Sequence, residues 1–325
     1  MTRQLNVCSL AGFLLSATLV AAQPPATPPT PPTTAPAVAQ DPAAGLLKQA
    51  QQNLREGKHE EALGILREAI AKAPAGSEAS TSAHVQAGVA LDLMGRYEEA
   101  RTYLSKAIDT AQNPEDKARA QRAMAMSHAF ERNCAGAAKY EAPLYESYLA
   151  AKNFFAAGEI ANELARVCLE SGSLDEAATW YQRGYDAGLK EPNLTPARKD
   201  LWEFRLAHAQ ARIAARRGQA AEAQKHVTAA KAAFERGTNP EQAQYVPYLV
   251  GYVAFYGGDY QAALTELAKG NQNDPFILSL IAQAYEKQGD KAKAMEYYRK
   301  VLASNGHSPT NAFARPLAKQ KLGMK

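Results

Sequence analysis

The chain has 325 residues, enough for two ordinary domains or one long array. Hydrophobic residues make up 46%, yet aromatics are only 8% and much of the rest is alanine, which suits close helix–helix packing better than one large globular core. A formal net charge of +4, from 37 basic and 33 acidic residues, is too small to indicate a nucleic-acid partner.

The first segment carries Arg3, a largely apolar run from Val7 to Val20, and small residues at Val20-Ala21-Ala22 ahead of Gln23. This pattern predicts a secretory signal peptide over residues 1–22. A retained membrane anchor is the alternative. The apolar run is shorter than a bilayer span needs, so no stable span is expected after processing. Cys8 lies inside that run, too early for a lipid-modified cysteine. Residues 23–42 contain Pro24, Pro25, Pro28, Pro29, Pro31, Pro32, Pro36 and Pro42 among Thr and Ala. Proline removes backbone donors and favours extended polyproline conformations, so this stretch reads as a disordered but semi-rigid linker.

From residue 43 to 305 one pattern recurs. Leu46, Leu47, Ala50 and Leu54 form an apolar stripe at helical spacing, Gly57 breaks it, and Ala62, Leu66, Ala69 and Ile70 form a second stripe that ends at Pro74. The same helix–turn–helix unit turns again at Gly95, Gly172, Gly218, Gly258 and Gly289. Each glycine is followed five residues later by alanine, at Ala62, Ala100, Ala177, Ala223, Ala263 and Ala294. Four residues beyond stand Leu66, Leu104, Tyr181, Val227, Leu267 and Tyr298. A degenerate unit is expected between the second and third of these, turning near Asn133 and using Ala138. Neither helix of a pair is stable alone at this length, so stacked pairs must cover each other's apolar edges.

These units resemble the tetratricopeptide repeat, through Gly57, Ala62, Leu66, Ala69 and Pro74, then Gly95, Tyr97, Ala100, Leu104 and Ala107. The resemblance recurs at Gly258, Tyr260, Ala263, Leu267 and Pro275 and at Gly289, Ala294, Tyr298 and Val301. It implies an all-α, right-handed superhelical solenoid of about seven helix pairs. Residues 306–325 read as a C-terminal capping segment, opened by Ser308-Pro309-Thr310 and carrying Phe313, Leu317 and Leu322 on one side. Arg315, Lys319 and Lys321 are expected on its polar outer face.

Cys134 and Cys168 are the two cysteines left after processing, and they fall near the same end of neighbouring units. A disulfide between them is one expectation for an exported chain, two buried thiols the other. No catalytic constellation emerges. The histidines at 59, 84, 128, 208, 226 and 307 form no His-Glu-x-x-His and no Cys/His metal set. There is no Gly-x-Ser-x-Gly elbow, Ser-x-x-Lys pair or phosphate loop. Carboxylates such as Glu60-Glu61, Glu98-Glu99 and Asp175-Glu176 stand at helix starts, where they complement the dipole. No enzyme activity, metal or cofactor is expected.

In arrays of this family the first helix of each pair lines a concave groove, and two such helices stand out here. Arg205, His208, Arg212 and Arg216 follow one another at +3, +4 and +4 along one face. The next first helix presents Tyr245, Tyr248, Tyr252, Phe255 and Tyr256, and Arg166 of the preceding unit points the same way. A basic stripe beside an aromatic stripe suits an extended peptide, with guanidinium forks taking carboxylates and tyrosines stacking or hydrogen-bonding. Ordinary inter-helix packing of the tyrosines and a solvated basic face are the competing readings. The expectation is an exported scaffold or assembly factor of a bacterial periplasm or cell envelope that binds a protein or peptide. The alternative is a glycan or cell-wall module using the tyrosines as sugar platforms.

Overall fold

Alternating helical stripes and short turns give fifteen α-helices in the computed structural model, which describes residues 42–324. The expected signal peptide (1–22) and the linker up to Asp41 lie outside the described residues. The pairs are α1 (Pro42–Arg55) with α2 (His59–Lys72), α3 (Glu78–Met94) with α4 (Tyr97–Thr110), and α5 (Pro114–Phe130) with α6 (Cys134–Ala150). They continue as α7 (Phe154–Ser171) with α8 (Leu174–Gly188), α9 (Pro196–Arg216) with α10 (Ala220–Glu235), α11 (Tyr245–Tyr256) with α12 (Tyr260–Leu267), and α13 (Pro275–Lys287) with α14 (Lys291–Val301). A 3₁₀ turn, Pro240–Gln244, precedes α11, and α15 (Pro309–Lys321) ends the chain. No strand occurs among the described residues. None of their helices is long and apolar enough to cross a membrane.

Each turn has a physical cause. Gly95 ends α3 at φ 91°, a left-handed conformation that only glycine adopts without strain, and its N–H closes on Leu91 and Asp92 carbonyls. The unit without a turn glycine solves the same problem differently. Arg132 takes φ 56°, and the Asn133 side chain caps α6 by accepting from the Gly136 N–H. The left-handed residue is therefore Arg132, one position earlier than the expected anchor at Asn133. The small contact residue moves with it, so that Ala137 is fully buried where Ala138 was expected.

The alanines five residues after each turn, from Ala62 to Ala294, are all essentially inaccessible, and the larger residues four further on seal the contact. Between α7, α8 and α9 the packing is tighter still. Trp202 is buried in a slot that exists because Gly158 and Gly188 lack side chains; a Cβ on Gly188 would stand 2.1 Å from the indole Cε2. Its Nε1 donates to Glu191 Oε1 at 2.7 Å. Cys134, the first residue of α6, meets Cys168 of α7 with sulfurs 1.98 Å and Cα atoms 4.7 Å apart.

Odd-numbered helices also touch one another, α1 with α3, α3 with α5, α9 with α11, and α11 with α13, so they form the inner layer of a right-handed superhelical solenoid. The C-terminal helix closes this solenoid from within. Helix α15 packs on α13 and α14 and also reaches α5 and α7. Phe313 joins the same core as Phe130, Leu164, Tyr252 and Ile281. Arg315 and Lys319 are thereby turned inward, contrary to the polar outer face expected of them. Arg315 Nε donates to the Leu93 carbonyl at 2.9 Å, and Lys319 Nζ to that of Met94 at 2.7 Å, both at the end of α3. Asn305 Nδ2 also donates to the Arg55 carbonyl at 3.2 Å, and His307 lies 2.8 Å from Asp92. The last turn of the array is thus tied to its first two units.

Candidate functional site

Three inner helices, α7, α9 and α11, converge on a cavity of ≈ 440 Å³. Six of the nine residues expected at a peptide site line it: Arg166, Arg205, His208, Arg212, Tyr245 and Tyr248. Arg216, Tyr252 and Tyr256 do not. They lie along the same two helices but turn into the packing, where Tyr252 is fully buried and its ring centroid stands 4.6 Å from that of Tyr256.

The reason is an acid that the reading of the basic stripe left out. Glu170 of α7 is 2% exposed and takes up much of the positive charge. Arg216 Nη1 donates to its Oε2 at 3.2 Å, Tyr252 Oη to its Oε1 at 3.4 Å, and Arg166 Nε stands 3.7 Å from Oε1. Arg166 and Glu170 are four residues apart on one helix, a spacing that places them together. That signal was available in the sequence. Arg205 is likewise engaged, donating to Glu159 and resting its guanidinium 5.0 Å from the Trp202 ring centroid.

Arg212 is different. It is 4% exposed, and its hydrogen bonds go to neutral groups: Nη2 to Tyr181 Oη at 2.9 Å and Nε to the His208 carbonyl at 3.4 Å. Nη1 finds no partner in the protein. Three other polar atoms on cavity-lining residues also make no hydrogen bond, namely Arg166 Nε, His208 Nε2 and Tyr248 Oη. Burial, reinforced by the nearby Arg212 and Arg166 charges, holds the His208 pKa well below its ordinary value, so the ring is neutral near pH 7. Burial also pushes the Tyr248 hydroxyl up to about 12, which keeps it protonated and able to donate.

The remaining wall is mixed. Tyr181, Phe204 and Ile277 supply apolar surface, Asn162, Gln242, Gln244 and Asn271 supply amides, and Pro309 and Thr310 bring in the first turn of α15. Three acids also face the cavity. Glu159 is bonded to Arg205, Glu163 accepts from Arg122 Nη2 at 2.5 Å, and Asp274 Oδ1 caps α13 by accepting from the Phe276 N–H at 2.8 Å. Of the aromatic stripe only Tyr245 is well exposed, at 43%, because Pro247 sits in the first turn of α11 and Tyr245 stands at the very start of that helix. Tyr248 and Tyr252 are buried, which removes the paired rings on which a sugar platform would depend. Among the described residues no cluster of His, Cys, Asp or Glu could hold a metal ion.

Comparison with known proteins agrees with this architecture. Models of the tetratricopeptide repeat match residues 53–126, 122–192 and 277–307. No curated protein matches the chain significantly. Among solved structures, the apo form of RapI superposes with a TM-score of 0.53 at 12% identity, covering 86% of this chain and 98% of that one. A tetratricopeptide repeat protein from Parabacteroides merdae gives 0.49 at 12% identity, over 86% of this chain and 97% of that one. The tetratricopeptide-like repeats of a kinesin light chain from Podosopora anserina give 0.48 at 16% identity, over 60% and 95%. RapI shares the fold.

Proposed function

We propose that this tetratricopeptide repeat protein is an exported interaction scaffold of the cell envelope that holds a protein or peptide partner along its inner face. The repeat family supports the scaffold role. The observation that carries the finer reading is the mouth of the cavity between α7, α9 and α11. Tyr245 is exposed there and Arg205 stands at its side, with Gln242, Gln244 and Asn271 alongside. Exposed tyrosine and arginine are the residues that anchor protein interfaces, and side-chain amides can bond a peptide backbone. Export is supported by the apolar leader pattern and fits the Cys134–Cys168 pairing, since disulfides persist in oxidising compartments.

The test is site-directed photocrosslinking in the native envelope. A crosslinking residue placed at position 245 should capture one discrete polypeptide, and Arg205→Ala should lower the yield. The same residue at position 106, exposed on the outer helix α4, should capture none. Equal labelling from both positions contradicts an inner-face interface.

A further inference from the structure

Two guanidinium groups, those of Arg166 and Arg216, share the buried carboxylate of Glu170, and the buried Arg212 pairs with no carboxylate. Arg216 takes the short contact, and Arg212 makes no hydrogen bond to any acid. A buried guanidinium without a carboxylate is costly, because the protein replaces neither the water nor the counter-charge that it gives up. Here the deficit is concentrated. Arg166 Nε, Arg212 Nη1, Tyr248 Oη and His208 Nε2 make no hydrogen bond, Arg166 Nε having only the longer 3.7 Å contact with Glu170; they come from three different helices, and all four residues line one cavity.

We propose that this cavity is a binding site for a small organic acid with an aromatic or apolar body, its carboxylate held by Arg166, Arg212 and the Tyr248 hydroxyl. The cavity's size lies within the range that small ligands occupy. Two arginines and a hydroxyl are donors of the kind that a carboxylate accepts. The first turn of α15 adds the positive end of a helix dipole to the same wall. Glu159, Glu163 and Asp274 ring the site and oppose a second negative charge, which favours a monocarboxylate over a phosphate dianion. Tyr181, Phe204 and Ile277 offer the apolar surface for the body of the molecule. Because Pro309 and Thr310 complete the wall, an occupied site also joins α15 to α7, α9 and α11. The site lies inside the mouth where the partner is placed, and it is independent of what that partner is.

The experiment is isothermal calorimetry on the purified full chain without any partner. Phenylacetate, 3-phenylpropionate and indole-3-acetate are the probes, their amides are the neutral controls, and inorganic phosphate is the dianion control. At least one acid should saturate at one site per chain while its amide does not bind. Tyr248→Phe, which removes one hydroxyl and no packing, should weaken that acid roughly tenfold, and Arg212→Gln roughly a hundredfold. The proposal is overturned if none of the three acids binds, if an amide or phosphate binds as well as the acid, or if Tyr248→Phe leaves the affinity unchanged. Calorimetry reads the small acid and crosslinking reads the partner, so either can fail without the other.

Discussion

Arg315 and Arg212 are both buried arginines on inner helices, at 8% and 4% exposure, and the protein treats them in opposite ways. Arg315 is saturated by backbone. Besides the Leu93 carbonyl, its Nη1 donates to Leu302 and Ser304 carbonyls at 3.2 and 2.9 Å. The Leu93 and Leu302 carbonyls stand at the ends of α3 and α14, where the helices leave them unpaired, and that of Ser304 lies in the loop that follows α14. One side chain therefore finishes two helices and binds the last unit to the second. Arg212 donates to one neutral hydroxyl and one carbonyl and leaves a buried donor without a partner. The contrast separates a charge that holds the fold together from a charge that the fold tolerates. Where tolerance clusters around a cavity, a ligand is the economical explanation.

The largest expected effect lies on α7, the helix that brings Arg166 and Glu170 to the cavity. Cys168 sits between those two residues, and its bond to Cys134 closes a loop with a sequence separation of 34. Loss of that cross-link frees the unfolded chain by about 4 kcal/mol in the chain-entropy treatment. Cys134→Ser with Cys168→Ser should therefore lower the urea midpoint strongly, whereas alkylation of the exported protein without reductant should modify neither cysteine. Next comes Arg315→Met. Stranding the Leu93 and Leu302 carbonyls costs about 3 kcal/mol, the Ser304 carbonyl keeping the Asn311 amide as donor, and loss of the α15 anchorage should expose the segment before Pro309 to limited proteolysis. Gly188→Ala drives a methyl group into the Trp202 indole and should cost about 2 kcal/mol, with a change in tryptophan emission.

The smallest effect is a pH dependence. Burial, with the neighbouring Arg315 and Lys319 charges added, lowers the pKa of His59 from 6.5 to about 4, against the pull of Asn305 and Glu61. The folded state thus disfavours the proton that the unfolded state accepts. Its stabilising contribution is complete above pH 6.5 and is lost as the pH falls toward 4. His59→Gln should flatten the stability profile in that window and nowhere else. The change should appear on the α15 side of the molecule, since the positive charges facing His59 belong to α15.

The array itself was legible because its code is short-range. A turn glycine, a small residue five positions on and a larger one four beyond suffice to locate a helix hairpin, and six of seven pairs carry that code. The third pair escaped it by one residue because Arg132 adopts the left-handed conformation that glycine adopts elsewhere. The stripes on α9 and α11 were visible as periodicity, but periodicity says which residues share a face and not how deep that face lies. Glu170 decided the depth. It drew Arg216 and Tyr252 inward and left Arg212 short of a counter-charge. The position of α15 was beyond local reading altogether. The contacts of Asn305 and His307 just before it, and of its own Arg315, with Arg55, Asp92 and Leu93 join residues more than 200 positions apart, and only the curvature of the whole superhelix brings them together.

The most direct test compares equilibrium urea unfolding of Arg315→Met and Arg212→Met, measured side by side in the absence of added ligand. Arg315→Met should lose about 3 kcal/mol, while Arg212→Met should stay within about 1 kcal/mol of the parent or exceed it, as expected when an underpaired buried charge gives way to an apolar side chain. Equal, large losses from both substitutions would show that Arg212 is as structural as Arg315 and would contradict the account.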